Sequence, residues 1–534
     1  MLYLGNMTTA EKIILQLISK KVADKTGLNE IKRSVSSRAK KPLPPNMELF
    51  RAYRNLVVKK KIKQNETLEK ILKTREIRTL SGVAVITVLT KPYPCPGKCI
   101  YCPSDARMPK SYLPKEPAAA RGLALKFDPY KQVAKRIEML QINGHNTDKI
   151  ELIVKGGTWS AYPKNYREWF IKRCFDAANN RASKKLEDAQ KINESAENRI
   201  IGLTLELRPD SVTPEEMVHL RRLGCTRIEM GVQTIDDKIL KLIRRGHNAA
   251  ETARATALLK NAGFKVDYHL IPALPGVSPK KDLENFEEIF KNPAYRPDMI
   301  KIYPCSIIPK TALYSWWKKG KYKPISTKVL IDLIIKMKLA VPRYVRISRI
   351  IRDIPGDDIA AGNIVTNLRE LIKQKMETRG LKCKCIRCRE IGHKKISNFK
   401  FQISNLKTFA EKYKTLGGDE YFISIEDPKR ETIFAFARLR LPYGQGSTLT
   451  ILPEIKGAGL IRELHTYGHL VPVEKRLKGA SQHLGFGKTL MKEAEKIARK
   501  NGYKKMAVIS GIGVRAYYRK LGYGLKGTYM VKSI

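Results

Sequence analysis

The chain has 534 residues, of which 43% are hydrophobic, so it is long enough for two or three buried cores and is not an intrinsically disordered protein. It shows no signal peptide and no apolar run near the ~18 residues of a membrane span, which predicts a cytoplasmic protein with no membrane partner. A formal net charge of +52, from 103 Lys and Arg against 51 Asp and Glu, favours a polyanionic partner. The nine cysteines are odd in number and mostly clustered, which indicates metal binding rather than a disulfide framework.

The N-terminal region, residues 1–79, is predicted to bind RNA. Residues 9–24 repeat apolar positions at helical spacing, and residues 32–63 carry eleven basic side chains against one acid, Glu48. Phe50 and Tyr53 lie among these charges and are expected to offer stacking faces to single-stranded or looped RNA. A generic basic surface is the alternative. The basic residues expected to contact RNA are Lys40, Lys41, Arg51, Arg54, Lys59, Lys60 and Lys61.

Three cysteines, Cys95, Cys99 and Cys102, occur at the spacing Cys-x3-Cys-x2-Cys in the segment KPYPCPGKCIYCP. Three thiolates on one loop can hold three irons of a 4Fe-4S cluster and leave one iron open to a small molecule, whereas an electron-transfer cluster is usually closed by four ligands. This pattern resembles the signature of the radical S-adenosylmethionine (SAM) enzymes. A zinc knuckle is the alternative, but zinc loops commonly pair cysteines at two-residue gaps and need a fourth ligand nearby.

Residues 80–370 alternate short β-branched runs with helical patterns. The expected strands are 83–90, 150–154, 200–205, 226–232, 266–272 and 299–304, and the helices between them include 129–143, 214–223, 249–262 and 280–290. This order is typical of parallel βα units and predicts an α/β fold, a partial (βα)6 barrel. The cysteine loop directly follows the first strand, at the edge where such barrels place their active groups. Residues 178–199 are polar and are expected to form a surface insertion.

Residues 371–400 contain a second cysteine cluster, in the segment LKCKCIRCREIGH. Cys383, Cys385 and Cys388, with His393 as fourth ligand, match the Cys3His set of a structural zinc site. Redox-active or unliganded thiols are the alternative. The position predicts a small metal-bound linker between two domains.

Residues 401–534 change to antiparallel alternation, and the segment QHLGFGKTLMKEAEKIARK then opens a long amphipathic helix. Gln482, Gly485 and Gly487 are expected to present backbone amides at the helix N-terminus, where a pyrophosphate can bind. A helix-opening turn without a ligand is the alternative. The downstream order of strand, helix with AYYRKLGY and last strand resembles an acetyl-CoA-dependent N-acetyltransferase (GNAT) domain.

Taken together, these features resemble the Elongator protein 3 family. The stretches that carry the resemblance include KIELIVKGGTW, GLTLELRPD, GCTRIEMGVQT, RRGH, DMIKIYP, RELHTYGHLVPV and AVISGIGVRAYYRKLGY. The three-residue gap between Cys95 and Cys99 resembles the prokaryotic, archaeal-type members, since eukaryotic members have a longer gap. The resemblance therefore implies a protein that works without accessory Elongator subunits, alone or as a homo-oligomer.

The resemblance implies a function as a tRNA carboxymethyluridine synthase with three cofactors or substrates besides tRNA: a 4Fe-4S cluster, SAM and acetyl-CoA. An electron from a donor such as ferredoxin or flavodoxin would cleave SAM, and the resulting radical would activate the acetyl methyl group for addition to carbon 5 of the wobble uridine. Two alternatives stay open: a protein lysine acetyltransferase with Glu463 as general base, and a noncatalytic tRNA-binding protein.

Residue roles follow from the same resemblance. Gly156, Gly157 and Thr158 would meet the SAM amino group, with Glu206 and Arg208 as further polar contacts or as a structural ion pair. Lys149 would contact acetyl-CoA from the radical SAM domain. In the second domain, acetyl-CoA would meet a strand and the pyrophosphate loop, and the catalytic residues near the thioester would be Tyr518 and its neighbour Tyr517. The residues of the strand and the loop are Glu463, Leu464, His465, Thr466, Gln482, Gly485, Phe486, Gly487 and Lys488.

Overall fold

The computed structural model describes residues 7–73, 82–393, 405–444, 452–467 and 485–534. Within these ranges, no helix is both long and apolar enough to cross a membrane.

Four helices form the N-terminal region. They are α1 (Thr9–Ser19), α2 (Lys25–Arg38), α3 (Asn46–Val58) and α4 (Glu66–Leu72). Their apolar faces form a core of their own, as expected for amphipathic helices. The aromatic residues expected to stack on RNA are part of this core, since Phe50 is 3% and Tyr53 is 1% exposed. The expectation of stacking faces at these two positions is therefore wrong: both rings pack inward, and the basic side chains around them point outward.

The middle of the chain is a parallel half-barrel. Its strands are β1 (Ala84–Leu89), β2 (Lys149–Lys155), β3 (Arg199–Leu207), β4 (Arg227–Gln233), β5 (Lys265–Leu270), β6 (Met299–Ile302) and β7 (Arg346–Arg349), in spatial order one to seven. The helices around and after them are α5 (Pro117–Ala124), α6 (Pro129–Ile142), α7 (Lys164–Asn179), α8 (Leu186–Asn193), α9 (Pro214–Arg222), α10 (Asp237–Leu242), α11 (Ala249–Asn261), α12 (Pro279–Lys291), α13 (Ala312–Lys318), α14 (Thr327–Ala340), α15 (Leu368–Thr378) and α16 (Ile386–Arg389).

This sheet confirms the expected α/β barrel with one addition. The six expected strands are present within a few residues of their expected bounds, but β7 adds a seventh, paired in parallel with β6. Its four residues, RISR, lack the apolar run that marks a buried strand. The polar segment 178–199 is more ordered than expected, because it contains α8, whose Leu186 and Ala189 are buried.

The C-terminal region forms a second seven-stranded sheet. Its elements are β8 (Lys407–Thr415), β9 (Gly418–Glu426), β10 (Ile433–Pro442), β11 (Gly459–Thr466), β12 (Lys505–Val508), β13 (Gly524–Lys526), β14 (Tyr529–Ser533), α17 (Phe486–Lys500) and α18 (Arg515–Arg519). The spatial order is β13-β14-β12-β11-β10-β9-β8. Only the β11–β12 pair in this sheet is parallel, and it ends at Ile461 and Val508 although β11 continues to Thr466. The two strands therefore separate and leave a wedge.

A buried group of charges joins the two sheets. Arg462 of β11 donates to Asp298 at 2.8 Å and to Glu420 of β9 at 2.9 Å, and all three side chains are fully buried. Lys260 of α11 lies 3.8 Å from each of the two carboxylates. Arg438 of β10 is 3.6 Å from Asp298. Since Asp298 and Lys260 belong to the half-barrel and the other three to the second sheet, this group ties the two domains together.

A close backbone approach adds to this interface. A Cβ on Gly511, after β12, would lie 1.9 Å from the carbonyl oxygen of Ile201 in β3, so only glycine fits there. Glu194, after α8, accepts from Arg515 at 3.1 Å and from Arg519 at 2.6 Å. The second sheet thus sits against the amino ends of the barrel strands.

Candidate functional site

The three-cysteine loop lies at the carboxyl end of β1, as expected. The backbone amide of Gly97 donates to Cys95 Sγ at 3.4 Å, and Arg245 Nη1 donates to Cys99 Sγ at 3.5 Å. A Cβ on Gly97 would lie 3.6 Å from both of these sulfurs, so glycine keeps the space between them open. Burial raises the pKa of the Cys102 thiol to about 11, so a bound cation would be needed to hold it as a thiolate at neutral pH.

These residues fit a 4Fe-4S cluster. The loop supplies three sulfur ligands, an N–H donor to Cys95 and space where a side chain is missing, and Arg245 supplies a donor to Cys99. Hydrogen-bond donors to the sulfurs are one of the means by which proteins set the reduction potential of such clusters. Cys95, Cys99 and Cys102 would hold three irons.

The expected SAM residues lie beside this loop. Thr158 Oγ1 is 3.6 Å from Cys95 Sγ. Gly156 has φ +146°, and a Cβ there would lie 1.7 Å from Thr90 Oγ1, which explains the glycine. Arg208 forms an ion pair with Asp210, with Nη2 to Oδ2 at 2.8 Å, and not the pair with Glu206 that was the structural alternative. Its Nη1 is nevertheless buried and without a hydrogen-bond partner and would lie 2.5 Å from a Cβ on Gly97, so it faces the cluster loop.

Glu206 lies deeper, in a charged group inside the barrel that the sequence did not reveal. Lys155 Nζ contacts Glu206 at 3.1 Å and also pairs with Glu229. Lys301 lies 2.5 Å and His269 3.1 Å from Glu229. Burial alone would raise the pKa of Glu229, but Lys155 and Lys301 outweigh it and hold that pKa well below its usual range. Burial lowers the pKa of Lys301 to about 8, so this ammonium can lose its proton near neutral pH.

The wedge between β11 and β12 contains the expected acetyl-CoA residues. Gly485 begins α17 with φ +76°, a left-handed conformation that suits glycine. Tyr517 Oη would lie 2.6 Å from a Cβ on Gly487, so the tyrosine rests directly on the first turn of the helix. Leu464 of β11 approaches the same position, at 3.8 Å. Gln482 lies outside the described residues.

The two tyrosines differ in exposure. Tyr517 is 39% and Tyr518 is 6% exposed, and their ring centres are 5.3 Å apart. Burial raises the pKa of both hydroxyls, so both are neutral at physiological pH and can donate a hydrogen bond. Phe486 is buried in the core of this domain, so its side chain packs inward while its backbone opens the helix.

Glu463 and His465 are poor bases in this environment. Glu463 accepts from Arg438 at 2.8 Å and lies 3.5 Å from Lys265. Burial alone would raise its pKa, but these two cations lower the pKa to about 2. Burial lowers the pKa of His465 to about 4. The site therefore offers no support for Glu463 as the general base of a lysine acetyltransferase.

One cavity of about 1460 Å³ connects these parts. Its lining runs from Tyr101 and Tyr112 at the cluster side, through Lys155 and Glu206 inside the barrel, to Tyr517 in the wedge. The other expected acetyl-CoA residues in its lining are Lys149, Glu463, Leu464, His465, Thr466, Gly485, Gly487, Lys488 and Tyr518. Lys149 begins β2, and burial lowers its pKa. The residues assigned to acetyl-CoA thus line one end of this space, and of the residues assigned to SAM, Glu206 lines it as well.

The second cysteine cluster lies between the domains. The ligand atoms of Cys383, Cys385 and Cys388 all lie within 4.8 Å of one another, a spacing suited to a single ion. The neighbouring Ile386 donates its N–H to the Val345 carbonyl at 2.9 Å, which anchors the segment to the half-barrel. The side chain of His393 is outside the described atoms, so the fourth ligand stays a prediction.

The seven basic residues expected to contact RNA are all exposed in the N-terminal region, Arg51 and Arg54 on α3 and the other five just after the ends of α2 and α3. Their RNA contacts stay a prediction. Sequence reasoning missed Arg245, Lys155, His269 and Lys301, although the segments RRGH, KIELIVKGGTW and DMIKIYP contain the first, second and fourth of them.

Comparisons with known proteins agree with a radical SAM site in this chain. Residues 93–289 match the radical SAM superfamily, and residues 297–378 match the radical SAM C-terminal domain. The chain is 48% identical over 484 residues to the tRNA uridine(34) acetyltransferase of Methanocaldococcus infernus, covering 88% of this chain and 89% of that protein. It is 38% identical over 547 residues to Elongator complex protein 3 of Danio rerio, covering 99% and 97%. The solved structure of the archaeal Methanocaldococcus infernus Elp3 with an N-terminal deletion matches with a TM-score of 0.75 at 45% identity, covering 85% of this chain and 100% of that one.

The half-barrel and its three-cysteine loop define a radical SAM enzyme. Within this class, the high sequence identity over most of the chain identifies the family. The chain belongs to the Elongator protein 3 family.

Proposed function

We propose that the protein converts uridine 34 of tRNA to 5-carboxymethyluridine, with acetyl-CoA as the carbon donor and SAM as the radical source. The names of the relatives, tRNA uridine(34) acetyltransferase and Elongator complex protein 3, support tRNA as the substrate. The observation that carries the proposal is the single cavity of about 1460 Å³, because one reaction on three substrates needs one continuous space.

When bound, the 4Fe-4S cluster supplies the electron that cleaves SAM. The chain's own residues bind and orient the reactants around it. Gly156, Gly157 and Thr158 lie next to Cys95 and are suited to bind SAM, with the free Nη1 of Arg208 as a further donor. On the other side, Lys149 and the first turn of α17 are suited to hold acetyl-CoA, with the neutral hydroxyl of Tyr518 near the thioester. Walls of buried side chains exclude bulk water between them.

The charged group inside the barrel is suited to the final hydrolysis. Lys155, Lys301 and His269 surround Glu229, and Lys301 titrates near neutral pH because burial lowers its pKa to about 8. Such a group can hold a proton or a developing negative charge as the thioester is hydrolysed to a carboxylate. A lysine acetyltransferase would instead need a free base at the wedge, and Glu463 is paired with two cations.

The finer assignments belong to this proposal. Residues 1–79 would bind tRNA, 80–370 would carry the radical chemistry, and 401–534 would bind acetyl-CoA. Zinc would bind at 371–400. An electron donor such as ferredoxin or flavodoxin would reduce the cluster, and the chain would act in the cytoplasm without accessory Elongator subunits, alone or as a homo-oligomer.

The test is mass analysis of nucleosides from tRNA incubated anaerobically with reduced protein, SAM and acetyl-CoA labelled with ¹³C in the acetyl group. We expect labelled 5-carboxymethyluridine, and its loss in Cys102→Ala. A Cys174→Ala variant, altered at a buried cysteine outside the site, is the matched control. Labelled acetyl-lysine in place of a labelled nucleoside would overturn the proposal.

A further inference from the structure

Four aromatic rings form a continuous ladder beside the cluster loop. The ring centres of Tyr93 and Tyr162 are 4.8 Å apart, those of Tyr162 and Tyr166 are 5.2 Å apart, and those of Tyr166 and Trp169 are 5.6 Å apart. Tyr166 and Trp169 are three residues apart in the first turns of α7 and share one face of it, and Tyr162 lies two residues before that helix. Tyr93 lies two residues before Cys95 and brings the ladder to the cluster.

The inner rungs are held by hydrogen bonds. The Tyr162 hydroxyl lies 2.7 Å from Thr90 Oγ1 and 3.0 Å from the carbonyl of Gly156, one of the residues assigned to SAM. Tyr166 Oη accepts the backbone N–H of Lys91 at 3.2 Å. Rings fixed in this way keep their orientation without a ligand, which lowers the entropic cost of binding one.

The outer rungs are exposed. Tyr93 is 37% and Trp169 is 46% exposed, although large aromatic side chains usually gain by burial. Basic residues accompany the ladder: Lys91 Nζ lies 4.9 Å over the Tyr166 ring centre, and the exposed Lys98 and Lys164 are each five residues from an outer ring in the sequence. Tyr162 between them is only 3% exposed, so the ladder presents two separate exposed ends, each an aromatic surface of the kind that marks an interaction site.

We propose that this ladder binds unpaired RNA bases next to the cluster. Trp169 and Tyr93 provide stacking faces, and Lys91 provides a contact to phosphate. Single-stranded RNA sites combine stacked aromatic rings with cations in this way. An acidic protein partner would need the cations but not the open rings, so the arrangement favours RNA. The inference rests on the proposed function in one respect: the loop of the substrate tRNA must bring its uridine to the cluster.

The inference assigns to this ladder the stacking of RNA bases that was expected of Phe50 and Tyr53. Those two rings are buried in the N-terminal helices, whereas this ladder lies next to the cysteine loop and Gly156. The exposed cations of the N-terminal helices would give charge attraction over a distance, and the ladder would fix the position of individual bases.

The test is the affinity of the full-length protein for an anticodon stem-loop RNA, measured without SAM or acetyl-CoA. Trp169→Ala and Tyr93→Ala should each weaken binding by roughly 10-fold, the scale of one lost base stack, while Trp169→Phe should retain most of it. Binding of a fully paired RNA of equal length should be unchanged. Tyr443→Ala, at a 54% exposed tyrosine of the second domain, is the matched control and should leave both affinities unchanged.

Salt dependence separates stacking from charge. Trp169→Ala should leave the slope of log K against log salt unchanged, whereas Lys91→Ala should reduce it by about one unit. Wild-type affinity for the stem-loop in both aromatic variants would overturn the inference, and slower cluster reduction by an acidic flavodoxin in those same variants would assign the ladder to a protein partner. Because this binding assay needs no turnover, the inference can hold or fail independently of the modified nucleoside.

Discussion

Replacing Asp298 by Ala tests the buried charges that join the two domains. Its carboxylate accepts the Val266 N–H at 2.9 Å and two bonds from Arg462, and it lies 3.8 Å from Lys260 and 3.6 Å from Arg438. Each charge-assisted hydrogen bond contributes about 1.5–3 kcal/mol, so the loss of two would lower the free energy of unfolding by about 3–6 kcal/mol. Broken buried pairs typically cost about 3–5 kcal/mol, because the remaining charge stays uncompensated.

The assay is urea unfolding of the full-length chain, followed by circular dichroism. We expect a loss of about 3–5 kcal/mol in Asp298→Ala. The matched control is Asp332→Ala, since Asp332 pairs with Arg379 at 3.0 Å on the surface with 39% and 48% of the side chains exposed; exposed pairs contribute about 0–1 kcal/mol. Equal losses in the two variants would refute the reasoning that the interdomain group holds the domains together.

The same variant should show a distinctive pH dependence through Lys260. Burial lowers the pKa of Lys260 to about 8, against about 10.4 in an unfolded chain. The unfolded state therefore binds more protons between these values, and this lysine makes stability rise with pH there. Loss of Asp298, which raises the pKa of Lys260, should move its folded pKa below 8. The stability deficit of the variant should then shrink as pH rises from about 6 towards 8, by about 1.4 kcal/mol per unit of pKa change. A deficit independent of pH would show that Lys260 is not coupled to Asp298.

Three further predictions concern the site. Cys95→Ala, Cys99→Ala and Cys102→Ala should each abolish SAM cleavage, measured as release of 5′-deoxyadenosine, and normal cleavage in the triple variant would sink the cluster assignment. Removal of residues 1–64 should strongly weaken tRNA binding and its salt dependence, since each lost phosphate contact lowers the slope by about one unit; acetyl-CoA binding, measured by calorimetry, should survive. Tyr518→Phe should slow tRNA-stimulated acetyl-CoA hydrolysis without changing tRNA affinity, whereas Lys149→Ala should weaken acetyl-CoA binding. Equal hydrolysis with and without tRNA would show that the two domains do not share one reaction.

The fold could be predicted from the sequence wherever local pattern and local structure agree. Buried parallel strands have apolar runs, so the sequence predicts β1 to β6. The strand β7, with the sequence RISR, carries arginines that face a charged interface. Its sequence therefore lacks the run of apolar residues by which a buried strand is recognised. Phe50 and Tyr53 misled because they were interpreted from the basic residues around them, whereas in α3 they lie on the buried face with Leu49 and Leu56.

The site was predictable only in part, for a related reason. The cysteine spacing is local and specific, so it predicted the three thiols at the end of β1, and their role as cluster ligands stays a prediction. Arg462 and Asp298, by contrast, lie far apart in the chain. The residues next to each of them in the sequence do not indicate that the two side chains pair. Lys155, Glu229 and Lys301 come from three different strands, and their grouping follows from the barrel's closure rather than from any single segment.

The contact of Gly511 with Ile201 has a practical consequence for protein engineering. A methyl group at Gly511 would lie 1.9 Å from a backbone oxygen, a clash that no side-chain rotation can relieve. An acetyl-CoA domain grafted from a distant relative must therefore reproduce this backbone path, even where its own fold is intact. The smallest transplant that we expect to yield a working chimera exchanges the entire Gly511 loop together with the part of β3 that it contacts.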